Sequence, residues 1–193
     1  MTRRENAQHR RPSRRRSRPL ILVVCGAERT EPQYFAGLRD SLNSRAVDIV
    51  INLQSKAPAQ VVEHAAAFAR HSPRDFDEIW CVVDVDEFDL DSTIRTARRS
   101  GIKLAVSNPC FELWLLLHHE DCRTSLPGFK SALGRLQKYV PNYDKARLDF
   151  AFFTSGVPKA VIRAKALDPS GIQYKRNPST GMWRLVEKMT EFQ

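Results

Sequence analysis

Two aspartates at the end of an apolar run are the residues whose type and spacing most clearly suggest chemistry. Residues 79–83 read as a strand buried on both faces, and Asp84 and Asp86 follow at a spacing of two. Because strand side chains alternate, both carboxylates leave the chain on the same side, with Cα atoms roughly 6–7 Å apart. Such a pair suits Mg²⁺ (or Mn²⁺), with waters and phosphates completing the coordination. The spacing therefore predicts a divalent metal site at the carboxyl end of this strand.

The segment around this pair is strongly acidic, although the formal net charge of the chain is +9. From position 84 to position 91 it contains Asp84, Asp86, Glu87, Asp89 and Asp91. Carboxylates this close repel one another unless a cation lies between them, which favours ion binding. The alternative is a solvated acidic turn that leads into the next helix, with Asp or Ser as its cap.

The positive charge is concentrated at the start of the chain. Residues 1–18 hold eight arginines against one glutamate, which gives +7 of the total +9. We expect a disordered tail that favours polyanions, with Arg14, Arg15, Arg16 and Arg18 as nucleic-acid contacts. If all eight arginines neutralised duplex phosphates, the slope of log affinity against log salt would approach roughly −7. The alternative is a tail that only promotes solubility.

Cysteine usage and hydropathy indicate the compartment. Cys25, Cys81, Cys110 and Cys122 show no C-x-x-C spacing, so buried free thiols in a reducing compartment are expected rather than disulfides or zinc. No stretch approaches the roughly 18 apolar residues of a membrane span. We therefore expect a cytoplasmic protein without membrane contact.

The order of elements predicts an α/β fold. Four strand patterns occur, at residues 20–25, 47–53, 79–86 and 102–107. Helical patterns separate them: one begins at Thr30, with Thr30 as N-cap and Gln33 completing a capping box, one begins at Pro58, and one spans about 91–100 with Gly101 as its stop. The order β-α-β-α-β-α-β requires a parallel sheet of about four strands flanked by helices.

After position 108 the pattern becomes helical. Helices are expected at about 111–118, 130–139, 158–167 and 182–192. The domain organisation is therefore a tail at 1–18 and one domain at 19–193, with the sheet core at about 20–108 and a helical extension at about 109–193.

Three segments together resemble a known family. They are residues 23–35 (VVCGAERTEPQYF), the strand with Asp84 and Asp86, and residues 107–118 (SNPCFELWLLLH). In this order and spacing the chain resembles the RloB-like proteins, and residues 177–180 (NPST) fit as well. That family in turn resembles Toprim domains, the magnesium-dependent α/β module of topoisomerases, primases and overcoming-lysogenization-type nucleases. The resemblance implies a role in bacterial restriction or phage defence, commonly beside an ATPase, with Asp84 and Asp86 as the Toprim metal ligands.

One departure from the family pattern concerns the catalytic glutamate. The family usually has Cys-Glu-Gly after the first strand, and this chain has Gly26 where the Toprim acid–base glutamate belongs. The side chain of glycine is a hydrogen atom, which can neither act as an acid–base group nor bind a cation. Glu28 and Glu31 lie two and five residues further on and are the candidate replacements, although Glu31 is also explained as an acid in a first helical turn. Without such a replacement, catalysis is lost or severely weakened.

Two further residues are candidates for the same site. Glu112 either enters the site from across the sheet or is an acid in the first turn of its helix. Asn108 is expected as an N-cap or turn residue, or as a phosphate contact. The adjacent His118 and His119 point about 100° apart and are expected as core or surface residues rather than ligands.

Three functions remain open from the sequence. The first is a metal-dependent nuclease that cuts DNA or RNA within a defence system. The second is a non-catalytic module that binds nucleic acid or an ATPase partner, and Gly26 and the arginine tail favour it. The third is a sugar-nucleotide transferase or phosphatase, and the order of elements gives this reading no special support.

Overall fold

The computed structural model describes residues 20–42, 47–50, 57–72, 75–85 and 90–191, with 47–50 as backbone only. Asp86, the arginine-rich residues 1–18 and the end of the predicted second strand lie outside these described residues. The strands are β1 (Ile21–Cys25), β2 (Val47–Val50), β3 (Glu78–Asp84), β4 (Ile102–Asn108) and β5 (Ser179–Thr180). They form one sheet in the order β2-β1-β3-β4-β5. The first four strands are parallel, and β5 is antiparallel to β4, so the predicted parallel α/β fold is confirmed.

The predicted helices are also present, with ends that differ by a few residues. They are α1 (Thr30–Ser41), α2 (Pro58–His71), α3 (Asp91–Arg99), α4 (Phe111–Leu117), α5 (Phe129–Leu136), α6 (Val157–Leu167) and α7 (Met182–Thr190). Two short 3₁₀ turns, Phe150–Phe152 and Thr154–Gly156, precede α6. Gly101 follows α3 at φ +69°, the left-handed conformation expected for its helix stop. The helical C-terminal extension is thus confirmed.

Helices cover both faces of the sheet, and the helical layers on the two faces differ in thickness. One face, the thick face, is covered by α1, α4 and α7, with α5 and α6 packed behind them. The other, the thin face, is covered by α2 and α3. Because side chains alternate along a strand, Val23 and Cys25 point to the thick face while Leu22 and Val24 point to the thin face. Both faces of the central strands are therefore buried from solvent, which explains their continuous apolar sequences.

The start of α1 differs from the prediction. Arg29 occupies the N-cap position and no side chain caps the helix, so the predicted capping box is wrong. Thr30 Oγ1 instead donates to the carbonyl oxygen of residue 145 at 3.2 Å, and the Gln33 amide bonds backbone groups of residues 146 and 148 at 3.2 and 2.9 Å. Both side chains thus fasten a distant loop to α1. The same side chains cannot form a capping box and these loop contacts at once, and sequence spacing alone does not show that the loop is nearby.

Asn108 also has a different role from the predicted N-cap. It is the last residue of β4, and Cys110 is the N-cap residue of α4. The Asn108 Nδ2 atom donates to the carbonyl oxygen of Tyr174 at 2.7 Å, which ties the strand end to the loop before β5. The peptide bonds Asn108-Pro109 and Asn177-Pro178 are both cis.

All four cysteines are free and buried, as predicted. None of the helices in the described part of the chain is both long and apolar enough to cross a bilayer.

Candidate functional site

The point at which the chain reverses its direction across the sheet lies between β1 and β3. From β1 the chain continues to β2 on one side, and from β3 it continues to β4 on the other. In open α/β sheets ligands bind in the crevice that such a reversal leaves at the carboxyl ends of the strands. Here the Gly26 amide donates to the Val82 carbonyl at 2.9 Å and fixes the loop after β1 beside β3.

A cleft of about 260 Å³ occupies this position. It lies between the ends of β1 and β3 and the first turns of α1 and α4, on the thick face of the sheet. Its charged lining consists of Glu28, Arg29, Glu31, Asp84, Glu112 and Lys145. Among the described lining residues, four acids against two bases give a formal charge of −2, in a chain that is strongly basic overall.

Four predicted site residues are therefore brought together. Glu28, Glu31, Asp84 and Glu112 come from three separate parts of the sequence and line one cleft. Asn108 is absent from this lining, because its side chain is bonded to the Tyr174 carbonyl at the end of β4. This hydrogen bond gives Asn108 a structural role, and the phosphate contact stays a prediction.

Glu112 is the most deeply buried acid of the cleft. It lies in the first turn of α4 and is 1% exposed. Its Oε1 atom accepts a hydrogen bond from the Tyr143 hydroxyl at 3.0 Å and lies 3.2 Å from Lys145 Nζ. Its Oε2 atom is buried and accepts no hydrogen bond from any described residue. A carboxylate oxygen in that state is costly unless a cation or water completes it.

Glu31 is also buried, at 3% exposure, in the first turn of α1. The positive end of the helix dipole favours an acid there, as the sequence suggested. Glu28, by contrast, is exposed at the mouth of the cleft. Of the two candidate replacements for the missing glutamate, Glu31 thus lies inside the cleft and Glu28 at its rim.

The pKa values of neighbouring groups record the negative charge of the cleft. Burial raises the pKa of the Cys110 thiol, and the carboxylates of Glu112 and Asp84 raise it further. The pKa of the Tyr143 hydroxyl is raised by burial and then by Glu112. Burial followed by the charge of Glu31 raises the pKa of Cys25. These two thiols and the Tyr143 hydroxyl therefore stay neutral at neutral pH.

The donor chemistry of the cleft fits a hard divalent cation, because carboxylate oxygens are what Mg²⁺ accepts. Among the described residues, which exclude Asp86, no three His, Cys, Asp or Glu side chains form a group that could hold a metal ion. The predicted pair of Asp84 and Asp86 therefore remains a prediction, with Asp84 at the end of β3 in the cleft lining.

Sequence reasoning missed Lys145 and Tyr143. Both lie in the irregular segment between α5 and the first 3₁₀ turn, more than 30 positions after Glu112, which they contact. Lys145 Nζ also lies 3.7 Å from the centre of the Phe129 ring, which holds the ammonium group over the cleft. No periodicity or motif marks these residues, so only the folded chain reveals them.

The two histidines are packing residues: His118 is buried and His119 is half-buried. His118 is 3% exposed, with Nε2 3.0 Å from the Tyr34 hydroxyl oxygen and Nδ1 3.0 Å from the Trp114 carbonyl oxygen. His119 stacks on Tyr139 with 4.9 Å between ring centres. Neither residue lines the cleft.

The family described as RloB-like protein matches residues 21–189, which is most of the chain. The protein belongs to the RloB-like family. No curated protein and no solved structure matches it. The matched range contains every described residue that lines the acidic cleft, from Ala27 to Lys145.

Proposed function

We propose that this RloB-like protein is a Toprim-like, magnesium-binding protein that processes nucleic acid in a restriction or anti-phage system. The observation that carries the proposal is the Glu112 carboxylate, buried in an acidic cleft at the switch point with one oxygen accepting no hydrogen bond from the described residues. The strand position of Asp84, the resemblance to Toprim domains and the basic tail support it.

Each residue of the cleft has a role in this proposal. Asp84 and Asp86 hold Mg²⁺ (or Mn²⁺), and Glu112 supplies a third carboxylate from across the sheet. The ion would polarise a phosphate and stabilise the departing oxygen. Lys145, half exposed at the same cleft, neutralises the phosphate, and Glu31 or Glu28 transfers the proton.

The substrate is DNA or RNA. Arg14, Arg15, Arg16 and Arg18 contact its phosphates, and deletion of residues 1–18 is expected to flatten the log–log salt dependence of binding by up to about seven. An ATPase partner is part of the same proposal, by resemblance to the family.

Gly26 favours a second candidate function, a non-catalytic module that binds nucleic acid or an ATPase partner. A Cβ atom at position 26 would lie 3.2 Å from the Val82 carbonyl oxygen and 3.6 Å from the Val61 side chain, on the thin-face side. A glutamate therefore fits only if the Val82 carbonyl shifts by a few tenths of an ångström. In this reading the cleft binds an ion and the tail binds nucleic acid, without turnover.

The first experiment compares cleavage of plasmid and of tRNA in Mg²⁺ or Mn²⁺ by the wild type, Asp84→Asn and Glu112→Gln. Both substitutions keep the size of the side chain and remove a charge, so activity should fall by about a hundredfold. Glu63→Gln, at an exposed position on α2, is the matched control and should leave cleavage unchanged. Equal cleavage by the wild type and Asp84→Asn would refute the nuclease proposal.

The second experiment separates the two candidates. Gly26→Glu restores the carboxylate of the family pattern, and Gly26→Ala adds only the Cβ atom. Cleavage gained by the first variant and not by the second supports a non-catalytic wild type, whereas strong cleavage by the wild type rules that reading out. Binding of Mn²⁺, measured as a rise in Tm that Asp84→Asn abolishes, tests the ion site independently of turnover.

A further inference from the structure

The outer edge of β4 is largely open. β3 pairs with β4 along its length on one side, whereas β5 pairs on the other side only with Ser107 and Asn108. The Gly181 amide donates to the Val106 carbonyl oxygen at 2.8 Å, so Val106 directs its backbone groups outward. Because these directions alternate along a strand, the N–H and C=O groups of Leu104, which is half-buried, and of Ile102, which is 4% exposed, also point to the outer edge. No described residue pairs with that edge before Val106.

A cleft of about 380 Å³ lies along this open edge. Its lining comes from both faces of the sheet: Ile94 and Leu104 belong to the thin face, whereas Lys103 and Arg184 lie over Trp80 on the thick face. A cleft lined from both faces lies on the strand edge itself. Unpaired strand edges are templates for the addition of another strand.

The described residues that line the cleft include three cations and no acid. Arg98, Lys103 and Arg184 line it, together with the apolar Ile172, which is 57% exposed. Lys103 is paired with Glu78 at 2.9 Å, while Arg98 and Arg184 form no ion pair within the described part of the chain. The open edge therefore combines strand hydrogen-bonding groups, an exposed apolar contact and unneutralised positive charge.

The charge decides between the candidate occupants. A second copy paired edge to edge would bring both sets of Arg98 and Arg184 together, and the chain's own arginine-rich residues 1–18 carry the same sign of charge. A nucleic-acid strand would need open aromatic faces for stacking. Here the indole of Trp80 is 2% exposed, and the half-buried ring of Tyr174 has Lys175 Nζ over it at 5.8 Å from the ring centre. An acidic polypeptide meets none of these obstacles.

We propose that the outer edge of β4 is a docking site for an extended, acidic segment of a partner protein, which adds to the sheet as a further strand. Main-chain hydrogen bonds to Ile102 and Leu104 supply the affinity, and alternate side chains of the segment enter the apolar cleft beside Ile172. Its acids contact Arg98 and Arg184. This site is separate from the acidic cleft and does not depend on its chemistry.

The test uses a fluorescein-labelled peptide of alternating glutamate and valine, with binding followed by anisotropy on the full chain. Arg98→Glu should weaken binding about tenfold because it reverses a charge at the cleft. Arg99→Glu is the matched control, because Arg99 is the exposed neighbour on α3 and does not line the cleft. It should change the affinity by less than about twofold.

Two further probes identify the mode of binding. The same peptide methylated at alternate backbone nitrogens keeps its charge and loses its strand donors, so it should bind at least about tenfold more weakly. Equal binding of the methylated peptide, equal losses in Arg98→Glu and Arg99→Glu, or no binding of the acidic peptide would each overturn the proposal. Displacement of the peptide by oligothymidylate in a chain lacking residues 1–18 would also overturn it, in favour of a nucleic-acid site.

Discussion

The two faces of the sheet differ in depth and in what they contain. The thick face carries a layer of aromatic and aliphatic side chains, with the ring of Tyr34 in edge contact with Phe35, Phe111 and Trp114. The thin face has mostly small side chains from α2 and α3, among them Val61, Val62, Ala65 and Ala97. Glu31, Asp84 and Glu112 all lie on the thick side, where burial is greatest.

This difference suggests how the acidic cleft is maintained. Burying a carboxylate costs free energy of folding, so the packing of the surrounding side chains must offset that cost. The thick face supplies this support through large side chains such as Trp114, which lies two residues after Glu112 on α4. No described residue of the thin face is a buried carboxylate.

The largest expected effect comes from removing the central side chain of the thick face. Trp114 is 0% exposed, and Trp114→Ala should lower the free energy of unfolding by about 4 kcal/mol. Val62 is also 0% exposed but lies on the thin face, and Val62→Ala should lower the free energy of unfolding by about 2 kcal/mol. Urea unfolding followed by circular dichroism measures both. Equal losses would contradict the expectation that Trp114 contributes more to the core than Val62 does.

An intermediate effect concerns acid sensitivity on the thick face. Burial lowers the pKa of His118 from its ordinary value of 6.5 to about 3. Below about pH 6.5 the unfolded chain therefore binds a proton that the native chain does not, and the free energy of unfolding falls by about 1.4 kcal/mol per pH unit until about pH 3. The contribution is fully present above pH 6.5 and is lost as the pH falls through this range.

The variant His118→Gln should flatten this dependence, measured by urea unfolding between about pH 7 and about pH 5. Ser92→Ala, at an exposed position of α3 over the thin face, is the control and should follow the wild type. An unchanged pH dependence in His118→Gln would show that His118 is not the group responsible.

The smallest effect is expected at the loop that carries Lys145. The Gln33 amide bonds the backbone of residues 146 and 148, so Gln33→Ala should cost about 1 kcal/mol of unfolding free energy. Gln60→Ala, at an exposed position on α2 over the thin face, should stay within about 0.5 kcal/mol of the wild type. Chemical denaturation of both variants checks this, and equal values would argue against a specific role for Gln33.

Local sequence patterns predicted the elements well because each strand and helix has a strong pattern of its own. The apolar run before Asp84 and the small-residue face of α2 identified their elements. The predicted capping box at Thr30 and Gln33 was wrong, because both side chains form hydrogen bonds with a loop more than 110 positions away. Tertiary contacts of that kind outweigh local spacing.

The candidate site was predictable only in part. The acids Glu28, Glu31, Asp84 and Glu112 were identifiable from motifs and spacing, and they line one cleft. Lys145 and Tyr143 were not, because they belong to an irregular segment without periodicity. The open edge of β4 was equally hidden, since strand order across a sheet is a long-range property.

The sequence by itself determined that this chain forms an α/β domain of the RloB-like family with acids placed at strand and helix ends. The strands and helices depend on alternation and helical spacing, which act over a few residues, whereas the family is shown by the match over residues 21–189. Only the tertiary structure decided that Glu112 meets Tyr143 and Lys145, and that β4 borders an unpaired cationic edge. Such contacts join residues far apart in the chain, and their energy depends on which surfaces the folded chain brings together and buries.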